Sequence, residues 1–257
     1  MSNSHPKPVC VVTGSSSGIG AATALWFARH GYDVVVNYSK RPEPAQAVAS
    51  LCREAGAEAL VIAADVADNA QCLGLADEVR RQWGRADVLV NNAGITTKFA
   101  DIKDLDALDA SDFEAIYRVN VIGAFQVSRA LAPLLKAGDN TAIVNISSMA
   151  GRMGAGSSIA YAASKGALNT LTLSLARALA PAVRVNAILP GMVDSDWLRK
   201  GLGEEVFGQR RQRYEARALL NAVVDVEDVA RTAWWLATGA RKMTGQLIDL
   251  EGGHILG

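Results

Sequence analysis

The chain has 257 residues, half of them hydrophobic, with 26 basic and 26 acidic side chains and no net charge. That is enough to bury a full core in one domain, and the charge balance gives no pull toward nucleic acid or an anionic membrane. No uncharged apolar run approaches a membrane span, and the opening MSNSHPKP has no signal-peptide core, so the expected compartment is the cytoplasm.

Residues 1–7 are expected to be flexible. From Pro8 onward, short β-branched runs alternate with longer helical stretches. VCVVT (9–13) reads as a strand, GSSSG (14–18) as a tight glycine turn, and 19–30 as a helix. Further strands are expected at DVVVNY (33–38), ALVIAAD (59–65), DVLVNN (87–92), AIVNIS (142–147), VRVNAIL (183–189) and QLIDL (246–250). They are continuous apolar runs, which suits strands covered on both faces. Between them lie amphipathic segments: 69–83 behind an Asp68 N-cap, long helices over 111–136 and 157–180, and 225–237 with acids in its first turn. Cys10, Cys52 and Cys72 form no CxxC pair, and His5, His30 and His254 are scattered. The thiols should be reduced and mostly buried, and neither a metal site nor a histidine-based triad is expected.

No linker, repeat or low-complexity block breaks the βαβα rhythm, so a single α/β domain over residues 1–257 is expected. Its sheet should be parallel, of about seven strands, with helices on both faces. An eight-stranded barrel shares that rhythm. The strand–turn–helix opening points instead to an open, doubly wound sheet. There, small residues let the backbone approach a pyrophosphate, and a helix N-terminus offers it free N–H groups. The spacing is GxxxGxG rather than GxGxxG, so the dinucleotide fingerprint is only approximated.

Four more motifs fall at or just beyond the carboxyl ends of expected strands, where open α/β sheets bind ligands: NNAG (91–94), NISSMAG (145–151), YAASK (161–165) and PGMVDS (190–195). Tyr161 and Lys165 are four apart and share a helix face. A phenol, with a pKa near 10, is a poor base at neutral pH, but an adjacent ammonium and an oxidised nicotinamide favour the phenolate and lower that value. General acid–base work needs such a group. An isolated YxxxK would by itself be an ordinary surface pair.

Together with TGSSSGIG (13–20), these motifs resemble the short-chain dehydrogenase/reductase family, in its order and approximate spacing, from about Pro8 to Gly253. The general look is that of 3-oxoacyl-acyl-carrier-protein reductases. The resemblance implies a Rossmann-type fold and a catalytic set. Tyr161 would be the acid/base, Lys165 its activator and ribose anchor, and Ser148, thirteen positions before Tyr161, the donor to the substrate oxygen. Asn120, in RVNVIG, would interrupt its helix and hold a water linked to the lysine. It also implies a cofactor cradle. Gly14, Ser16, Ser17, Gly18, Ile19 and Gly20 form the turn, and Asp65 and Val66 flank the adenine. Asn92, Ala93 and Gly94 lie on the ribose side, and Pro190, Gly191, Val193 and Ser195 lie at the nicotinamide. Ser195 stands where threonine is usual.

In this family an acid ending the second strand selects NAD by binding the ribose 2′-hydroxyl and repelling a 2′-phosphate. Here that position is Tyr38, followed by Ser39, Lys40 and Arg41, so NADP is expected, with NAD as the alternative. Against NADP, Ser17 stands where many NADP-using relatives carry a base.

Residues 192–217 resemble the family's substrate loop. Met192, Trp197, Leu198, Leu202, Val206 and Phe207 would cover the cleft. QRRQRYEAR (209–217) is either a solvated helix face or a site for a carboxylate or phosphate. Trp234 and Trp235 are expected to pack a late helix against the sheet or a subunit. The expected function is hydride transfer between NADP(H) and a ketone or secondary alcohol, a 3-oxoacyl thioester among the candidates. The ends of the relevant helices, LLKAGDN and LAPAV, nearly lack the basic residues an acidic carrier protein would want. A sugar or small hydroxy compound therefore stays open as substrate, and a dinucleotide-sensing regulatory protein is the non-catalytic alternative. Relatives are usually tetramers, so a homotetramer is expected.

Overall fold

The computed structural model describes residues 7–257. The expected flexibility of residues 1–7 thus falls, but for Lys7, outside the described residues, as does His5. Seven strands form one parallel sheet: β1 (Val9–Val12), β2 (Asp33–Tyr38), β3 (Ala59–Ala63), β4 (Val88–Asn91), β5 (Thr141–Ile146), β6 (Val183–Pro190) and β7 (Leu247–Leu250). Their order is β3-β2-β1-β4-β5-β6-β7, so the winding reverses between β1 and β4. All seven expected strands are present, with ends shifted by at most two residues.

The apolar runs are explained by burial from both sides. On one face Cys10, Val12, Val34, Val36, Val88 and Val90 pack with Ala24 and Phe27 of α1 (Gly18–Arg29), Val48 and Ala49 of α2 (Pro42–Glu54), and late-chain Val229, Ala233 and Leu236. On the other, Val11, Val35, Leu89, Ile143 and Val185 pack with Leu75 and Val79 of α3 (Asn69–Trp83) and with Val127, Leu131, Leu135, Leu175 and Ala176. Successive strand residues alternate between the two cores, each buried Val or Leu contributing roughly 1.5–3 kcal/mol. Cys10, Cys52 and Cys72 lie buried within these cores.

The cap expected at Asp68 is present, and the helix expected from 225 has acids in its first turn, Asp225 itself being its cap. Asp68 accepts from Ala70 N at 2.8 Å, and Asp225 forms a capping box with Asp228 at the start of the helix Val226–Thr238. Trp234 of that helix packs on the core, whereas Trp235 is half exposed. The long helix expected over 111–136 is not continuous. It begins as α4 (Ala110–Tyr117), widens into π-helical geometry over Arg118–Gly123, and resumes as α5 (Ala124–Lys136). One contact fits that widening: a Cβ on Gly123 would lie 2.6 Å from Val66 Cγ2, so the backbone is pressed against the loop after β3.

Candidate active site

The three loops leaving β1, β2 and β4 are tied together by the residue types of the glycine turn. Gly14 adopts φ +60°, and a Cβ there would lie 2.9 Å from Ala93 Cα, so only glycine lets the first turn close on the NNAG loop. Asn92 Nδ2 donates to the carbonyls of Thr13 (2.9 Å) and Gly14 (3.0 Å), and Thr13 Oγ1 accepts from Asn92 N (3.0 Å) and Ala93 N (3.1 Å). Asn37 Oδ1 accepts from Gly14 N at 3.0 Å, and Ser15 Oγ accepts from Asn37 N at 3.0 Å. A Cβ on Gly20 would collide with Asn92 Nδ2 and the Gly14 carbonyl, so this glycine serves the packing of α1 on the turn. The first turn of α1 has neither a side-chain cap nor an acid, which leaves its N–H groups and positive dipole to an anion.

In front of this turn, at the reversal of the winding, lies a cavity of about 1300 Å³. Drug-sized ligands occupy roughly 300–1,000 Å³, so it has room for a dinucleotide and a substrate together. Most of the expected cradle lines it: Gly14, Ser17, Gly18 and Ile19; Ser39 and Lys40; Asp65 and Val66; Asn92, Ala93 and Gly94; Pro190, Gly191, Val193 and Ser195. Ser16, Gly20 and Tyr38 do not. The Tyr38 ring packs against the core, and Asn37, which the sequence reading passed over, lines the wall instead. A tight glycine approach, an uncapped helix N-terminus and a cavity of this size fit a nicotinamide dinucleotide.

At the other end Ser148, Tyr161 and Lys165 line the same cavity. Tyr161 and Lys165 sit on α7 (Ile159–Leu179), whose N-cap Ser158 accepts from Tyr161 N at 3.1 Å. A Cβ on Gly151 would lie 2.5 Å from Gly166 N, so the short helix α6 (Ala150–Met153) rests directly on the α7 backbone and brings Ser148 opposite Tyr161. The neighbouring Ser147 turns inward and donates to Asn169 Oδ1 at 2.6 Å. Lys165 is only 4% exposed; its Nζ donates to the Ile146 carbonyl at 2.8 Å and lies 5.6 Å from the Tyr161 ring centre.

Burial pulls the Lys165 ammonium down to about 8 and pushes the Tyr161 phenol up to about 12, with hydrogen bonding to Ser148 opposing the rise. The lowering expected of Tyr161 therefore does not arise within the chain alone, because desolvation outweighs every favourable contact there. Asn120 does not line the cavity. Its Oδ1 accepts from Ile95 N (2.8 Å), while its Nδ2 donates to the Ile95 carbonyl (3.0 Å) and to Ser164 Oγ (3.0 Å). Gly94 backs onto it: a Cβ there would meet Asn120 Oδ1 and Lys165 Nζ, each at 3.5 Å.

Residues 192–217 fold as α8 (Asp196–Leu202) and α9 (Glu204–Arg217), with Gly203 at φ +78° between them. Met192, Trp197, Leu198 and Leu202 line the cavity as expected. Phe207 is buried beneath Arg199 and Val206 faces solvent, so neither joins the cover. Of the two expectations for 209–217, a solvated face and a site for an anion, the geometry places Arg210, Arg213, Tyr214 and Arg217 on the cavity wall.

The sequence profile described as short chain dehydrogenase matches residues 8–205. A Streptomyces violaceoruber protein of the granaticin polyketide synthase, named provisionally as a ketoacyl reductase, is 39% identical over 250 residues, covering 97% of each chain. The crystal structure of a Burkholderia xenovorans protein, named provisionally as a short-chain dehydrogenase/reductase, superposes with a TM-score of 0.90 at 46% identity, over 99% of this chain and 100% of that one. The NAD+-bound structure of a xylitol dehydrogenase gives 0.86 at 32% identity, over 96% and 98%. Among the described residues no helix is long and apolar enough to cross a membrane. With the sheet order, the glycine turn and the cavity already in place, the chain belongs to the short-chain dehydrogenase/reductase family, whose members are oxidoreductases that use nicotinamide dinucleotides and act on CH–OH groups.

Proposed function

We propose that this chain, acting as a single cytoplasmic domain of a homotetramer, is an NADP-preferring reductase that moves hydride between the nicotinamide and a ketone or secondary alcohol, with a 3-oxoacyl thioester among its substrates. The observation that carries the reading is the convergence of Ser148, Tyr161 and Lys165 on one cavity whose far wall is the glycine turn. When bound, the dinucleotide supplies the hydride donor or acceptor and, when oxidised, a positive charge. Gly14, Ser16, Ser17, Gly18, Ile19 and Gly20 make the turn that holds its phosphates, and Pro190, Gly191, Val193 and Ser195 hold the nicotinamide end.

Ser148 donates a hydrogen bond to the substrate oxygen and sets it against Tyr161 Oη. In reduction Tyr161 gives its proton to that oxygen, and burial keeps the phenol in the protonated form this needs. Lys165 then steadies the phenolate from the same helix face and is charged below about pH 8. The side-chain amide of Asn120 is engaged by Ile95 and Ser164, so Asn120 would support the relay by fixing the loop and helix around Lys165.

NADP preference is supported by Ser39 and Lys40 in the wall and by the lack of an acid at the end of β2. A charge-assisted bond from Lys40 to a 2′-phosphate is worth roughly 1.5–3 kcal/mol. Lys40→Ala should therefore cut kcat/KM with NADPH by about one to two orders of magnitude and leave NADH almost untouched. The likeness to an NAD+-bound xylitol dehydrogenase favours a second reading, an NAD-linked polyol dehydrogenase. A panel of ketones, sugars and acyl thioesters assayed with both cofactors separates the two; a parent preferring NADH would refute the first. Assembly is supported by Phe113, Ile122 and Phe125, exposed along the α4–α5 face, and by β7 at the sheet edge. A monomer mass by light scattering at micromolar concentration would refute it.

A further inference from the structure

Helix α9 has two charged faces with different employment. On one, Arg211 is held by Asp194 and by Glu215, each at 2.8 Å. On the other, Arg210, Arg213, Tyr214 and Arg217 follow the i, i+3, i+4, i+7 spacing of a single face and line the cavity. Arg217 donates to the Gly257 carbonyl at 3.2 Å. Among the described residues Arg210 and Arg213 have no carboxylate within the 4.0 Å of an ion pair.

The cavity wall offers them none. Its two acids are Asp65, in the loop after β3, and Glu251, which is almost fully buried with its oxygens accepting from Gly253 N (3.1 Å) and Ile255 N (3.0 Å). Nor is the cofactor's 2′-phosphate a candidate partner. Tyr214 donates to the Glu251 carbonyl at 2.8 Å, which ties α9 to the end of β7, whereas Lys40 follows β2. Five strand spacings separate those two strands, about 24 Å at about 4.8 Å each. Beside the reacting end the wall is apolar: Phe99 packs on Trp197 at 5.3 Å, and Trp197 stands 6.1 Å from the Tyr161 ring.

We propose that the substrate carries a carboxylate or phosphate, held by Arg210 and Arg213, at the end of an apolar body lying along Trp197 and Phe99. The proposal rests on the hydride-transfer reading above for the position of the carbonyl. Planar guanidiniums one helical turn apart suit either anion through paired N–H donors, and a neutral ketone leaves them with water alone. Both arginines are exposed at the rim, so the gain per residue is that of a screened pair.

The test is calorimetric titration of the full chain, saturated with NADPH, with benzoylpropionate, its methyl ester and phenacyl phosphate. The parent should bind one or both anions about tenfold more tightly than the ester. Arg210→Gln/Arg213→Gln should bring that ratio to about one while ester and NADPH affinities stay put, which also certifies the fold. In the parent, added salt should weaken the anions and spare the ester. No anion preference in the parent, whether through equal binding or none, overturns the proposal, as does a double variant that keeps the preference. Hydride transfer fails separately: it is refuted if none of the three is turned over with NADPH or NADH, whatever their affinities.

Discussion

Replacing Lys165 by methionine keeps the length of the side chain and removes its charge, which makes the cost of burying that charge measurable. In the folded chain burial pulls the ammonium from 10.5 down to about 8. The unfolded chain therefore holds a proton more firmly than the native one between those values, and stability must rise with pH across that window. From about pH 7 to about pH 10 the parent should gain roughly 2–3 kcal/mol relative to Lys165→Met. The Ile146 carbonyl loses its partner in the variant, but that penalty does not vary with pH and drops out of the comparison. The Tyr161 phenol, pushed up to about 12, stays neutral throughout. Urea unfolding of both proteins at matched concentration, without cofactor, at four or so pH values gives the difference directly. A parent-minus-variant difference that changes by less than about 0.5 kcal/mol would show that solvent reaches Lys165 and that its charge is not desolvated.

Tyr161→Phe should lower turnover by about two to four orders of magnitude with little change in cofactor affinity, and activity within about threefold of the parent would sink its role as acid/base. Ser148→Ala should lose turnover heavily. Ser147→Ala should keep turnover and instead lose roughly 1–2 kcal/mol of stability, because Asn169 Oδ1 forfeits its 2.6 Å donor; the reverse pattern would mean the two hydroxyls have been exchanged.

The sheet was legible because each strand is an apolar run flanked by turn residues, and both faces of that sheet are covered. Asp68 announced its helix by cap chemistry and 225–237 by acids in its first turn, signals that act over two or three residues. What the sequence hid depends on partners far along the chain. The glycine at 14 was visible as a motif member, but the reason for it lies in Ala93. Asn37 looked like an interior strand residue, yet its amide stitches the turn after β1 to β2 and to the Ile62 and Ala64 carbonyls. The break at Arg118–Gly123 has no proline to betray it, and it coincides with a fit against Val66. On α9 the spacing of Arg210, Arg213 and Arg217 was readable, but the face turned to the cavity depends on where Gly203 starts the helix and on how Tyr214 meets Glu251.

The same burial that perturbs Tyr161 and Lys165 also fixes where they must stand. A lysine stripped of solvent is tolerable only if its one donor bond is short and its stem is packed, and both conditions are met by the end of β5 and the small residues around it. Gly151 lies flat on Gly166, where a Cβ would come within 2.5 Å of the Gly166 N, while a Cβ on Gly94 would stand at ordinary contact distance from the ammonium. A larger residue at 151 would push α6 outward, admit water, and return the ammonium toward its ordinary range. Ser148 would then retreat from Tyr161, since it rides on the same α6 contact. The glycine of the third motif thus sets the electrostatics of the site as firmly as those of the first set its shape, although it carries no charge.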